Sequence, residues 1–101
     1  MSASTAGPET LCRRIVISGQ VQGVSFRAST VREATKFPGL RGYVRNLDNG
    51  DVEVVVQAMA SSVEAMIEWC HQGPPGARVE NVQVVECKVD PALPHFKARE
   101  D

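Results

Sequence analysis

Nine residues, Gly19-Gln20-Val21-Gln22-Gly23-Val24-Ser25-Phe26-Arg27, constrain the fold of this chain more than any other feature. They join an apolar run, Ile15-Val16-Ile17, to a stretch in which Phe26, Thr30, Ala34 and Phe37 recur at helical spacing. A strand therefore passes into a helix through a glycine-flanked loop. Such a loop can turn its backbone N–H groups inward as an anion nest, and the helix start adds its own unpaired N–H groups and the positive end of its dipole. Arg27, at the beginning of that helix, carries a planar fork of donors that matches two phosphate oxygens at once. Gln20, Val21, Gln22, Gly23, Val24, Ser25, Phe26 and Arg27 are thus the candidate phosphate-binding residues, with Ser25 placed to cap the helix through its hydroxyl.

The rest of the chain alternates between the same two periods. Residues 1–10 are small and polar, with nothing to bury, and read as a disordered arm ahead of a single domain at residues 11–101. A strand is expected over residues 11–18 and a helix over 26–37, ended by Pro38-Gly39. Residues 40–47 and 51–58 form a hairpin about Asp48-Asn49-Gly50. A two-residue Asn49-Gly50 turn would pair Val52, Val54 and Val56 with Leu47, Arg45 and Tyr43, a mixed face. A three-residue loop with Gly50 left-handed puts Gly42 and Val44 opposite Val56 and Val54 and keeps one face apolar, so that register is preferred. Ser61 and Glu64 have capping-box spacing, and Val63, Met66, Ile67 and Cys70 continue as a helical stripe to Gly73. Trp69 and the methionines read as core. Residues 79–89 are the next strand, and residues 95–99 can add a short fifth at an edge, after Pro91 and Pro94.

Strand, helix, strand, strand, helix, strand fits an α+β, ferredoxin-like two-layer sandwich: an antiparallel sheet with two helices on one face. With 101 residues there is room for one core. A net charge of −1 gives no global field to gather nucleic acid or an anionic membrane, so any attraction for an anion is local. Cys12, Cys70 and Cys87 are odd in number and contain no C-x-x-C, which suggests neither a disulfide framework nor a zinc site; buried thiols are expected. There is no secretory signal and no apolar run long enough to span a bilayer, which gives a cytoplasmic expectation with no membrane partner. No feature demands an assembly, and a monomer is expected.

The loop pattern G-x-V-Q-G-V-x-F-R, as it stands in Gly19 to Arg27, resembles the signature of the acylphosphatases. A second segment, Gly42-Tyr43-Val44-Arg45-Asn46, resembles that family's G-W-V-x-N, with Tyr43 where the family usually has tryptophan. Gly73-Pro74-Pro75-Gly76-Ala77-Arg78-Val79 looks like the family's connector into its next strand, and Phe96-Lys97-Ala98-Arg99 continues the likeness weakly. The resemblance implies the ferredoxin-like fold, a small acyl phosphate as substrate, catalytic Arg27 and Asn46, and no metal or other cofactor.

Other phosphate chemistries leave marks that are missing. No cysteine is followed six positions later by arginine; those positions hold Ser18, Gly76 and Leu93. There is no D-x-D, no G-x-S-x-G and no P-loop ending. Asp48 and Asp51 have the wrong spacing for a calcium loop, and His71 and His95 are isolated. What remains is attack by water on a phosphoryl group with a good leaving group, and a carboxylate leaving from an acyl phosphate is one. Loop amides and Arg27 would hold the phosphate while Asn46 orients the water. The alternatives are a non-catalytic regulatory module and an RNA-binding module of the same element order. Arg41-Gly42-Tyr43 begins an RNA-recognition pattern that Val44-Arg45-Asn46 does not continue.

Overall fold

The computed structural model describes residues 9–100. Its elements are β1 (Thr10–Gln20), α1 (Phe26–Ala34), β2 (Arg41–Asn46), β3 (Val52–Met59), α2 (Ala60–Gln72), β4 (Arg78–Glu86) and β5 (Lys97–Ala98). The strands form one sheet in the order β4-β1-β3-β2-β5. Alternation explains the sandwich. Ile15 and Ile17 on β1, Val44 on β2 and Val52, Val54 and Val56 on β3 point to one face, where they meet Phe26, Val63, Met66 and Cys70 from the helices. Both helices therefore share one buried core. β2 and β3 adopt the expected register, Gly42 opposite Val56 and Val44 opposite Val54, with Gly50 left-handed at φ 98° in the loop.

The sheet is mixed rather than antiparallel throughout. β5 pairs with β2 in parallel, Tyr43 opposite Lys97 and Val44 opposite Ala98. The reason lies in the connection after β4. It leaves one edge of the sheet and crosses its end, held by Gln57, whose amide donates to the Asp90 carbonyl and accepts from the Asp90 N–H, and by Arg41, which donates to the Leu93 carbonyl. The chain thus reaches β2 at the end where β2 begins, and it can only run alongside in the same direction.

Several boundaries move. β1 opens at Thr10, and residues 1–8 of the expected arm lie outside the described residues. α1 stops at Ala34 rather than Phe37, because Thr35, Lys36 and Phe37 donate to carbonyls three residues back and tighten the last turn. β4 ends at Glu86, and Met59 is 43% exposed rather than core. The Ser61–Glu64 capping box does not form. β3 runs straight into α2, with extended Met59 at the N-cap and no side-chain cap, which puts Ser61 already inside the helix.

The helix-free face is organised by polar pairs. Glu53, buried in the central strand, accepts from Arg45 Nε at 2.6 Å through one oxygen and from Arg14 through the other. Burial alone would raise its pKa, but the two guanidinium groups outweigh that and hold the carboxyl below its usual value. The cysteines are free thiols, as expected, but not all buried. Cys12 and Cys70 are buried and Cys87 half-buried, with the Cys87 Sγ 2.6 Å from the Cys12 Sγ.

Candidate active site

The loop between β1 and α1 departs from an ordinary helix entry. Gly23 has φ 75° and Ser25 has φ 62°, and Ser25 is the one non-glycine residue with positive φ among those described. A left-handed serine is sparsely populated, and such residues persist where the surroundings over-determine them. The expected hydroxyl cap is therefore absent: capping requires extended backbone at the N-cap, and Ser25 makes no side-chain bond to the first turn. Its carbonyl still accepts the first helical bond, from the Ser29 N–H at 3.0 Å. The remaining N–H groups of the first turn carry the dipole's positive end with no side-chain oxygen across them.

Two anchors fix the loop. Phe26, 2% exposed, packs edge-on against Trp69 with ring centres 5.6 Å apart, tying the start of α1 to α2. Gln22 reaches the other way, its amide nitrogen donating to the carbonyls of Leu47 and Asp51, each at 2.8 Å. These two carbonyls flank the β2–β3 turn, so Gln22 ties the loop to the end of the strand that carries Asn46.

Those anchors shape a cavity of about 270 Å³, bordered by Val21, Gln22, Gly23, Ser25, Phe26, Arg27, Ala28 and Asn46 and, from the C-terminal segment, Ala98 and Glu100. Arg27 and Asn46, far apart in sequence, thus border one space. Gln20 and Val24 do not: Gln20 ends β1 opposite Arg78, and Val24 packs against the core. The Asn46 amide has no hydrogen bond to a described side chain or backbone group. Among the described residues no group of three or more His, Cys, Asp or Glu is arranged so that it could hold a metal ion.

Sequence reasoning missed the C-terminal contribution. Arg27 Nη1 donates to the Arg99 carbonyl at 3.0 Å and lies 3.4 Å from the Glu100 carboxylate. Arg99 in turn donates its N–H to Val44, and its guanidinium lies 4.5 Å over the Tyr43 ring. Tyr43 therefore supplies the aromatic platform at this position of the strand. The weak likeness of Phe96 to Arg99 was the available signal, but not its parallel pairing with β2.

The family model for acylphosphatase matches residues 13–98. An acylphosphatase of Rubrobacter xylanophilus is 52% identical over 73 residues, 72% of this chain and 66% of that one. One of Methylococcus capsulatus is 44% identical over 86% of this chain and 94% of its own. Among solved structures, the Coxiella burnetii acylphosphatase superposes with a TM-score of 0.80 at 40% identity, covering 89% of this chain and 93% of that chain. Full-length HypF contains a similar region, with a TM-score of 0.77 at 30% identity, over 94% of this chain and 13% of HypF. No described helix is long and apolar enough to cross a membrane. The chain belongs to the acylphosphatase family.

Proposed function

We propose that this chain hydrolyses small acyl phosphates to carboxylate and inorganic phosphate by metal-free, in-line attack of water, acting as a cytoplasmic monomer. The observation that carries the reading is the meeting of Arg27, Asn46 and the left-handed Gly23 and Ser25 around one cavity. Loop N–H groups and the Arg27 guanidinium hold the phosphoryl oxygens and stabilise charge on them as the bond to the leaving oxygen lengthens. Asn46, able both to donate and to accept, orients the attacking water. The leaving carboxylate is a weak base, so little acid assistance is needed, and positioning with electrostatic stabilisation supplies most of the acceleration.

Glu100 holds Arg27 from the position an incoming anion takes. It is 87% exposed, so the pair is a surface ion pair of about 0–1 kcal/mol that yields readily to a multiply charged phosphate. The cavity is smaller than a drug-sized pocket, which favours a compact acyl phosphate over a nucleotide.

Phosphate release from acetyl phosphate, measured with and without EDTA, tests the reading. Equal turnover in both, with inorganic phosphate competing, is expected. Activity that vanishes with EDTA and returns with magnesium or zinc would overturn the mechanism. The non-catalytic alternatives are not favoured, since family relatives named acylphosphatase match most of the chain.

A further inference from the structure

We infer that Cys12 and Cys87 form a dithiol–disulfide modification site that staples β1 to the segment leaving β4. The placement follows from register. Arg13 pairs with Glu86, so Cys12 and Cys87 are the next directly opposed residues, and the Cys87 N–H donates to the Cys12 carbonyl at 3.1 Å. Opposed residues in an antiparallel ladder have Cα atoms about 4.5–5.5 Å apart, within the range a disulfide spans. The two side chains share one face, beside Arg14, Tyr43 and Val55, and their sulfurs lie 2.6 Å apart. Cys70 cannot compete, being buried in the core on the helix-covered side.

The two sulfurs differ in a way that orders the chemistry. Cys12 is 3% exposed, whereas Cys87 is half-buried at the rim of a surface cavity. Being the more exposed of the two, Cys87 is the first to meet a small-molecule disulfide, while burial, with the neighbouring Cys87 sulfur adding to it, pushes the Cys12 thiol up to about 12. The co-reactant is a small-molecule disulfide such as oxidised glutathione. The Cys87 thiolate attacks one of its sulfurs, breaking that S–S bond and releasing one small thiol. Cys12 then gives up its proton and its sulfur attacks the mixed disulfide at Cys87, releasing the second small thiol. Two protein thiols are oxidised and one small disulfide is reduced.

The staple closes a loop between residues 75 positions apart, which removes much freedom from the unfolded chain. It fixes the start of the connection that carries Arg99 and Glu100 round to Arg27, yet it lies remote from the chemistry. Cys12 is eight strand residues from Gln20, or about 26 Å. The site therefore changes stability and leaves turnover alone.

The test exposes the native, folded 101-residue chain to oxidised glutathione, then alkylates it after unfolding for intact-mass analysis and peptide mapping. The expected product has lost two thiols, links the Cys12 and Cys87 peptides, leaves Cys70 alkylated and reverts with dithiothreitol. Its Tm rises by about 10 °C or more, while kcat/KM for acetyl phosphate stays unchanged. Cys87→Ser, at the half-buried position, should remove both the linkage and the Tm gain; Cys70→Ala should keep both. A glutathione adduct that persists on Cys87 beside a free Cys12, a dimer through Cys87, no reaction at all, or a linked protein that melts where the reduced one does would each overturn the proposal.

Discussion

The two helices of this protein both begin without a side-chain cap, yet only one start carries the features of an anion site. α2 follows β3 with no intervening loop. Its N-cap Met59 is extended, and its first turn holds alanine, serine and valine. α1 is preceded by five loop residues with left-handed Gly23 and Ser25, carries Arg27 in its first turn, and is tied by Gln22 to the end of the strand bearing Asn46. The dipole is common to both starts and is worth only about 0.3–1 kcal/mol for an adjacent charge. What separates them is the loop with its two left-handed residues, the Arg27 guanidinium with its full charge, and Asn46 bordering the same cavity.

The comparison breaks first at Arg27. Arg27→Ala leaves α1 with its loop and dipole but without the guanidinium charge, one step nearer to α2. We expect kcat/KM for acetyl phosphate to fall about 10²-fold or more, as losing about 3 kcal/mol of charged donors in a preorganised site implies. Arg27→Lys should restore little, since a point charge lacks the fork. Steady-state kinetics on the folded variants decide it, and near-normal values would take Arg27 out of the site.

Asn46 tests the other side of the cavity. Asn46→Ala should lower kcat by roughly 10²-fold while the inhibition constant for inorganic phosphate changes little, because holding a water matters mainly as the transition state forms. Asn46→Asp should lower both, as an anion accepts only and repels phosphate. If Asn46 merely satisfied the hairpin end, Asn46→Ala would depress Tm and leave kcat of the folded fraction intact.

Much of this contrast was legible in the sequence. The loop, Arg27 and Asn46 sit in two local patterns, and the apolar alternation of Ile15, Ile17, Val52, Val54 and Val56 sets which face is buried. What was not legible depended on geometry across the chain. Ser25 has the composition of a cap, but its left-handed backbone turns the hydroxyl's usual role off. Ser61 and Glu64 have the right spacing, yet the strand delivers the helix start two residues earlier. The parallel β5 and the Glu100 contact on Arg27 follow from where residues 87–96 cross the sheet, and the Cys12–Cys87 juxtaposition from the register of β1 against β4; no local pattern encodes either.

Gln22 sharpens the comparison at intermediate size. Its amide is not proposed to touch substrate; it is a positioning residue with two hydrogen bonds to the hairpin turn. Gln22→Ala removes about 1 kcal/mol of net stabilisation per bond and frees the loop from the strand end. kcat/KM should drop about 10-fold, with kcat and phosphate affinity both reduced because amides and water holder lose register together. A Tm loss with unchanged kinetics would show that the tether serves the fold alone.

The smallest effect is expected at α2, where it is most discriminating. If the Ser61–Glu64 capping box stabilised this helix, Ser61→Ala would cost about 1 kcal/mol, a loss of roughly 4–8 °C in Tm for a domain of this size. In the structure Ser61 is exposed, lies inside the helix behind the Met59 N-cap, and caps nothing. Alanine has the higher helix propensity at such a position, by a few tenths of a kcal/mol. Ser61→Ala should therefore leave Tm unchanged or raise it by a degree or two, with kcat/KM intact. Thermal melts and kinetics on one preparation separate the cases. A clear loss of Tm would mean that α2 starts later and is capped after all, and the two helix starts would then differ in capping as well as in their loops.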